Sequence, residues 1–284
     1  MAEVYAKVDP LAKASGARLV HCCGFDSIPS DLSVYFLQKE FKERFGRYAS
    51  RVSGRMGRAS GGVSGGTVAS LMLVAEQASQ DPVIRARIMD PYALYPADVS
   101  PGSDKPDQTG VAWDDYFGSW TAPFVMAAVN TKVVRRSHAL AGLPYRDDFG
   151  YDESQLCDSR AKALLSAGGL GTVMAGTFFA PTRALLKKLL PDPGEGPDES
   201  KRENGFFEFW THGSDGSDHL RVKVTGQRDP GYGATSRMLA QAALCLAQDS
   251  LAVGGGIWTP ASAMGDALLQ RLPGVDIHFK VVED

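Results

Sequence analysis

The sequence predicts a mixed fold, an α/β opening that runs into an α+β body. Three observations carry this. A helix–strand–helix run fills the first 45 residues, alternating hairpin strands stand in the second half, and a proline-capped helix followed by a strand closes the chain. Met1 to Ser15 repeats apolar residues at Val4, Val8 and Leu11, the spacing of one helix face. Arg18 to Gly24 (RLVHCCG) is a short apolar run that fits a buried strand. Pro29 and Asp31 open the next helix. Proline has no N–H to lose in a first turn, and a carboxylate there faces the positive end of the helix dipole. That helix is expected to reach Phe45, with Leu32, Tyr35, Phe36 and Phe41 turned inward. The three elements make one unit of a doubly wound sheet.

Further along, Arg47 to Arg58 reads as a strand that enters the glycine–serine run Ser60 to Thr67. A helix is expected from Val68 to Gln80, and a long loop over Asp90 to Gly110, rich in Pro, Asp and Gly. Thr121-Ala122-Pro123 is expected to open a helix ending near Leu140, with a short strand over Asp147 to Leu156. Phe206 to Thr211 and Leu220 to Thr225 alternate about HGSDGSD, a hairpin pattern. The segment DPGYGAT, Asp229 to Thr235, leads into a helix through Gln248. Thr259-Pro260 caps a helix to Leu272, and Val275 to Val282 is a final strand. Strands after the opening unit are expected to be antiparallel. The reading divides the chain at residues 1–45, 46–252 and 253–284.

With 284 residues, 44% hydrophobic and 22% charged, the chain can bury a core. A net charge of -3 excludes a broad phosphate-binding surface, and with it nucleic acid as a partner. The four cysteines form no CxxC pair and the five histidines have no ligand spacing, so free thiols and no metal site are expected. Ala163 to Thr182 is uncharged, with Lys162 before it and Arg183, Lys187 and Lys188 after it. Its glycines dilute its hydrophobicity. A buried or channel-lining helix pair is the first expectation, with a lipid-facing interfacial segment and a membrane span as alternatives.

The glycine fingerprint of dinucleotide binding, G-x-G-x-x-G, does not occur: Gly231-Tyr232-Gly233 is followed by Ser236, and Gly169-Leu170-Gly171 by Met174. Three segments remain as candidates. Gly24, Phe25, Asp26 and Ser27 follow a strand, at the end where open α/β sheets place ligands. Glycine permits close backbone approach, while Asp26 and Ser27 supply an acceptor and a hydroxyl. A turn that merely starts the helix is the alternative. Ser64, Gly65, Gly66 and Thr67 precede a helix, where successive N–H groups can hold an anion or a carbonyl oxygen; an ordinary turn capped by Thr67 is the alternative. Tyr232 is a candidate proton donor, against a turn tyrosine that only packs. Asp26 is the second candidate catalytic group.

Five blocks, GARLVHCCGFDSIPSDLSVY, SGGVSGGTVAS, LLPDPGEGPDESKRENGFF, DPGYGATSRMLAQAALCLA and GGGIWTPASAMGDALLQRL, stand in this order along nearly the whole chain. Together they resemble the saccharopine-dehydrogenase-like oxidoreductases, in particular the actinobacterial trans-acting enoyl reductases and their lipid-droplet-associated animal relatives. The resemblance implies an NAD(P)-binding Rossmann domain, with Gly24 to Ser27 facing the cofactor. It also implies a second domain that shapes the substrate pocket, and a C-terminal helix that packs back on the first. The implied reaction reduces a carbon–carbon double bond in a lipid or polyketide-derived acyl chain held on a polyketide synthase, with NADPH as the hydride source. Residues 1–45 would then be the remnant of the Rossmann domain, and the glycine loop would belong to an upstream part. The chain alone is expected to bind the cofactor poorly, to be weak or inactive, and to self-associate through an open strand edge. A cytoplasmic location is expected, with peripheral contact at the inner membrane face through residues 163–182. The alternative is a non-catalytic lipid- or membrane-associated binding module. Saccharopine chemistry itself fits less well, since its amino-dicarboxylate substrate needs clustered charges and these blocks are small, hydroxylic and apolar.

Overall fold

A computed structural model describes residues 1–61, 65–102, 104, 106–178, 182 and 195–283. The elements in chain order are α1 (Ala2–Ser15), β1 (Arg18–Val20), α2 (Ile28–Phe45), β2 (Arg51–Ser60), α3 (Gly65–Gln80), α4 (Pro82–Met89), β3 (Ala112–Asp114), β4 (Ser119–Pro123), α5 (Ala127–Leu140), β5 (Gly150–Cys157) and α6 (Arg160–Phe178). Then come α7 (Glu199–Asn204), β6 (Phe206–Asp215), β7 (Asp218–Gln227), α8 (Gly233–Gln248), β8 (Gly256–Trp258), α9 (Pro260–Arg271) and β9 (Ile277–Val282). Among the described residues, seven strands form one sheet in the order β3-β4-β5-β2-β6-β7-β9, and β1 pairs with β8 in a second, two-stranded sheet.

Alternation along β6 and β7 decides which face of the large sheet is buried. Phe207 and Phe209 on β6 point the same way as Val222 and Val224 on β7, and all four are fully buried. The main core joins Phe207, Phe209 and Val224 to Ile28 and Leu32 of α2, Met56 of β2, Met238 of α8 and Leu268 of α9. An adjoining core joins Leu37 and Phe41 of α2 to Val52, Val134, Tyr151 and Val222. On the opposite face Arg55 bonds Asp114 at 2.7 Å and Asp152 at 2.6 Å. The opening helix α2 therefore lies on the large sheet, while α1 packs beside β8, in a smaller core of Tyr5, Leu94, Val133 and Ile257.

Several expectations change. The inward face of α1 is Tyr5, Val8 and Ala12, so Val8 packs as expected while Val4 and Leu11 are exposed. The Tyr5 ring decides this by lying under the Arg136 guanidinium, 4.4 Å from its centroid. Thr121-Ala122-Pro123 is strand, not helix start: it pairs with Leu156, Gln155 and Ser154, and Pro123 sits at the strand end, where its missing N–H interrupts little. The helix begins at Ala127 instead. The hairpin strands run further than their hydrophobic alternation, to Asp215 and Asp218, leaving Gly216 and Ser217 as the turn. Gly216 takes φ 63°, which glycine adopts without cost. The strands are not all antiparallel, since β2 and β5 pair in parallel from Arg51↔Gly150 to Met56↔Gln155. Strand β8 has no counterpart in the sequence reading.

The uncharged stretch also departs from expectation. Over residues 163–177, helix α6 buries only Ala163 and Thr177, so it is not a core helix. Residues 179–181 and 183–194 lie outside the described residues. No described helix is long and apolar enough to cross a membrane.

Gly205, between α7 and β6, marks a backbone crossing. A Cβ there would stand 2.5 Å from the Asp229 nitrogen and 2.6 Å from the Ser60 carbonyl oxygen. Backbone cannot step aside as a side chain can, so Gly205→Ala is expected to cost about 1–3 kcal/mol by overpacking. A urea melt indistinguishable from that of the parent chain would refute this contact.

Candidate active site

The turn Asp229 to Thr235 is built by its own side chains. Asp229 is fully buried; its Oδ1 accepts the Gly233 N–H at 2.8 Å and its Oδ2 the Tyr232 N–H at 3.1 Å. These bonds satisfy donors at the start of α8 that have no partner inside the helix. The Thr235 hydroxyl donates to the Pro230 carbonyl at 2.7 Å and accepts the Phe25 N–H at 3.1 Å. Gly24 lies directly against it: a Cβ on Gly24 would reach the Thr235 methyl at 3.0 Å. On its other side the Tyr232 hydroxyl donates to the Glu195 carbonyl at 2.8 Å, and the Gly65 N–H reaches the same oxygen at 3.0 Å. One turn thus ties the loop after β1 to the first residue of α3.

Three segments singled out in sequence meet here. Gly24 and Phe25 touch Thr235, while Gly65 and Tyr232 share the Glu195 carbonyl. Gly66 is exposed and Thr67 half-buried in the first turn of α3, inside the helix rather than at its cap. Ser64 lies outside the described residues. Asp26 is open to solvent, and partial desolvation by the surrounding chain holds its pKa above the usual carboxylate value. Ser27 is fully buried and turns away from the surface, donating to the Asn130 Oδ1 at 3.0 Å. Replacing Thr235 by Val keeps the shape and removes both hydrogen bonds. It is expected to cost about 1–3 kcal/mol, because the Phe25 N–H loses its partner in a half-buried loop. Hydrogen exchange at the Phe25 amide should speed up, and Thr235→Ser should restore it.

No family model matches the chain. A putative trans-acting enoyl reductase of Mycobacterium tuberculosis is 39% identical over 286 residues, covering 95% of this chain and 68% of the relative. Trans-acting enoyl reductases of Mycobacterium bovis and Mycobacterium leprae are 37% and 32% identical over 284 and 282 residues, each match covering 94% of this chain and 68% of the relative. The chain belongs to the trans-acting enoyl reductase family.

Beneath its surface loop, this trans-acting enoyl reductase family member holds two buried carboxyls. Glu153 of β5 is fully buried; its Oε1 accepts the Asn130 amide at 2.9 Å and the Ser30 hydroxyl at 3.1 Å. Asn130 in turn receives Ser27, so Glu153 anchors the end of the Gly24–Ser27 loop through one intervening side chain. Asp31 of α2 accepts the Ala261 N–H at the start of α9 at 2.8 Å, and also pairs with the Ser137 hydroxyl. Ser137 stands 2.6 Å from the Thr259 hydroxyl, which caps α9 together with Ser262. Desolvation pushes the pKa of both Asp31 and Glu153 up to about 7. The Ser137 hydroxyl donates to Asp31 and also lies 3.1 Å from the Val133 carbonyl, so its one proton stands between two acceptors. The spacing of these residues in sequence carries no signal: Ser27 and Asn130 are 103 residues apart and Ser30 and Glu153 123 apart.

Proposed function

We propose that this chain reduces the carbon–carbon double bond of an acyl chain carried by a polyketide synthase, with a nicotinamide cofactor as hydride source. The observation that carries the reading is the clamp of Thr235 on the Gly24–Phe25 loop, beside the carboxyl ends of two parallel strands. Parallel β1 and β8 both run toward the first turns of helices α2 and α9, the end at which open α/β sheets bind ligands. The proposal includes the finer assignment that β1 and β8 belong to a Rossmann-type sheet of the saccharopine-dehydrogenase-like kind.

The residues fit the reactive end of a nicotinamide cofactor and not its pyrophosphate. In the first turn of α2 the Ser27 and Ile28 N–H groups already bond the Gly24 carbonyl, the Asp31 N–H bonds that of Ser27, and Pro29 has no N–H to offer. Gly24, Phe25 and Asp26 would line the nicotinamide end, with Ser27 holding the loop from beneath and the Gly65–Thr67 turn nearest the acyl substrate. When bound, the cofactor supplies a hydride to the β-carbon of the unsaturated thioester. A proton must then reach the α-carbon. Asp26 suits this role, because it is accessible and its raised pKa keeps a proton available closer to neutrality. The Tyr232 hydroxyl is the second candidate, and its bond to Glu195 makes it the less free donor.

The test uses NADPH deuterated at its transferable hydrogen and an α,β-unsaturated acyl pantetheine thioester. The chain is assayed alone and joined to the part of the Mycobacterium tuberculosis relative that the match leaves uncovered. Deuterium at the β-carbon of the saturated product is the expected outcome for the joined protein. Asp26→Asn should lower its turnover by about 10²–10⁴-fold with little change in KM. Absence of transfer from NADPH and from NADH in both arrangements would end the reductase reading.

A further inference from the structure

Helices α3, α4 and α6 form a neighbouring group, since α3 contacts both others. They expose six large apolar side chains, Leu73, Val74, Val83, Met89, Leu164 and Leu165. Leu165 is 78% exposed and Leu73 55%. Scattered exposed leucines are ordinary, but a group on adjoining helices marks an interaction surface. Much of α6 around these leucines is small and uncharged: Gly168, Gly169, Gly171, Thr172 and Ala175 are all exposed. Such a surface offers apolar area with few groups for directional recognition, which suits lipid better than a specific protein contact.

Charge and aromatic placement point the same way. Along their lengths the three helices carry Arg85, Arg87, Arg160 and Lys162 against Glu76, with Asp81, Asp90 and Asp158 at the helix ends. Arg87 and Lys162 meet Glu3 and Asp158 in exposed ion pairs, which hold weakly and can exchange for other anions. Arg160 lies over the Trp120 ring at 5.5 Å, and Trp120 packs edge-on against the half-exposed Trp113. Tryptophan beside arginine at the border of an apolar surface is the arrangement of the bilayer interface. We infer that the α3–α4–α6 surface docks this chain peripherally on an anionic lipid bilayer, with Leu164 and Leu165 inserted among the acyl chains and the arginines at headgroup level. Helix α6 would lie along the membrane plane rather than cross it. This inference does not rest on the reductase reading, and it fails or stands without any cofactor.

The test is flotation of the full chain with vesicles of phosphatidylcholine alone and of phosphatidylcholine mixed with phosphatidylglycerol. The chain should float with the mixed vesicles, less with the neutral ones, and less in high salt. Leu164→Glu with Leu165→Glu should weaken binding by about tenfold or more, from lost apolar insertion and added negative charge. Both side chains are exposed, so the circular dichroism and melting curve should stay those of the parent. Arg85→Glu should weaken binding to the mixed vesicles alone. Two results would overturn the inference. One is no flotation with either vesicle. The other is unchanged flotation of the leucine variant together with loss of a dimer in light scattering, which would make this face a contact between copies of the chain.

Discussion

Between about pH 6.5 and pH 8 the unfolding free energy is expected to fall, and replacing Asp31 and Glu153 together should abolish the fall. Both carboxyls have folded pKa values near 7, raised by burial from ordinary values of 3.8 and 4.5. A carboxyl raised in the folded state contributes stability that is complete below its unfolded pKa and is lost as pH rises through its folded pKa. Each group alone would give a decline of up to about 1.4 kcal/mol per pH unit between those limits. Three histidines oppose this at lower pH, His21 among them, lowered by burial. Burial holds His138 and His212 down to about 4, against an ordinary 6.5. The unfolded chain then binds protons that the folded one refuses, so these groups make stability rise with pH until about 6.5 and no further. The opposing slopes offset one another from about pH 5 to 6.5, and only the carboxyl decline remains above. Asp249, held down to about 2 by Arg271, titrates below this window. Urea melts at half-unit steps test the reading. The Asp31→Asn/Glu153→Gln variant should gain stability up to about pH 6.5 and then stay level. Parallel profiles for parent and variant would mean that neither carboxyl holds a proton in the folded chain.

The second large effect concerns Asp104, in the loop before β3. Its side chain and that of Arg135 are 2% and 3% exposed. One carboxylate oxygen accepts two guanidinium N–H groups of Arg135, at 2.9 and 3.0 Å, and the Tyr151 N–H at 2.7 Å. The other oxygen meets Arg51 at 3.3 Å. Removing this acid leaves a buried guanidinium without its carboxylate, and a buried pair broken on one side costs about 3–5 kcal/mol. Asp104→Ala is therefore expected to lose that much in equilibrium unfolding. Adding Arg135→Met should recover part of the loss, because the second change removes the stranded charge. A loss below about 1 kcal/mol for the single variant, or full additivity of the two changes, would show that the pair contributes little.

Much of the secondary structure was legible because its signals are local. Pro29 and Thr259-Pro260 mark starts of α2 and α9, and Thr259 forms the capping box with Ser262. The alternation of Phe207 and Phe209 against Val222 and Val224 announced the hairpin. Thr121 to Pro123 misled for a physical reason: Thr-Ala-Pro carries the chemistry of a helix start, while pairing with β5 decided its conformation. The same limit applies to α1, where the periodicity was visible but the partner that selects a face, Arg136, was not.

Within the candidate site, Gly24, Phe25, Gly65 and Tyr232 were nameable from composition and position. Their meeting at one turn was not, since the Phe25–Thr235 bond spans 210 residues. The carboxyls Asp31 and Glu153 were less visible still. In sequence one is a helix-start acid and the other a polar residue in a short strand. Only desolvation in the folded interior raises their pKa values, against the hydrogen bonds that Ser137, Asn130 and Ser30 donate to them. By itself the sequence determined where helices and strands begin, which residues alternate, and which small segments can bend closely around a ligand. The tertiary structure decided which helix faces are inward, that β2 and β5 run in parallel, and which distant side chains hydrogen-bond one another. Short-range steric preference and capping act within a few residues, whereas burial, desolvation and strand pairing depend on partners that the folded chain alone brings together.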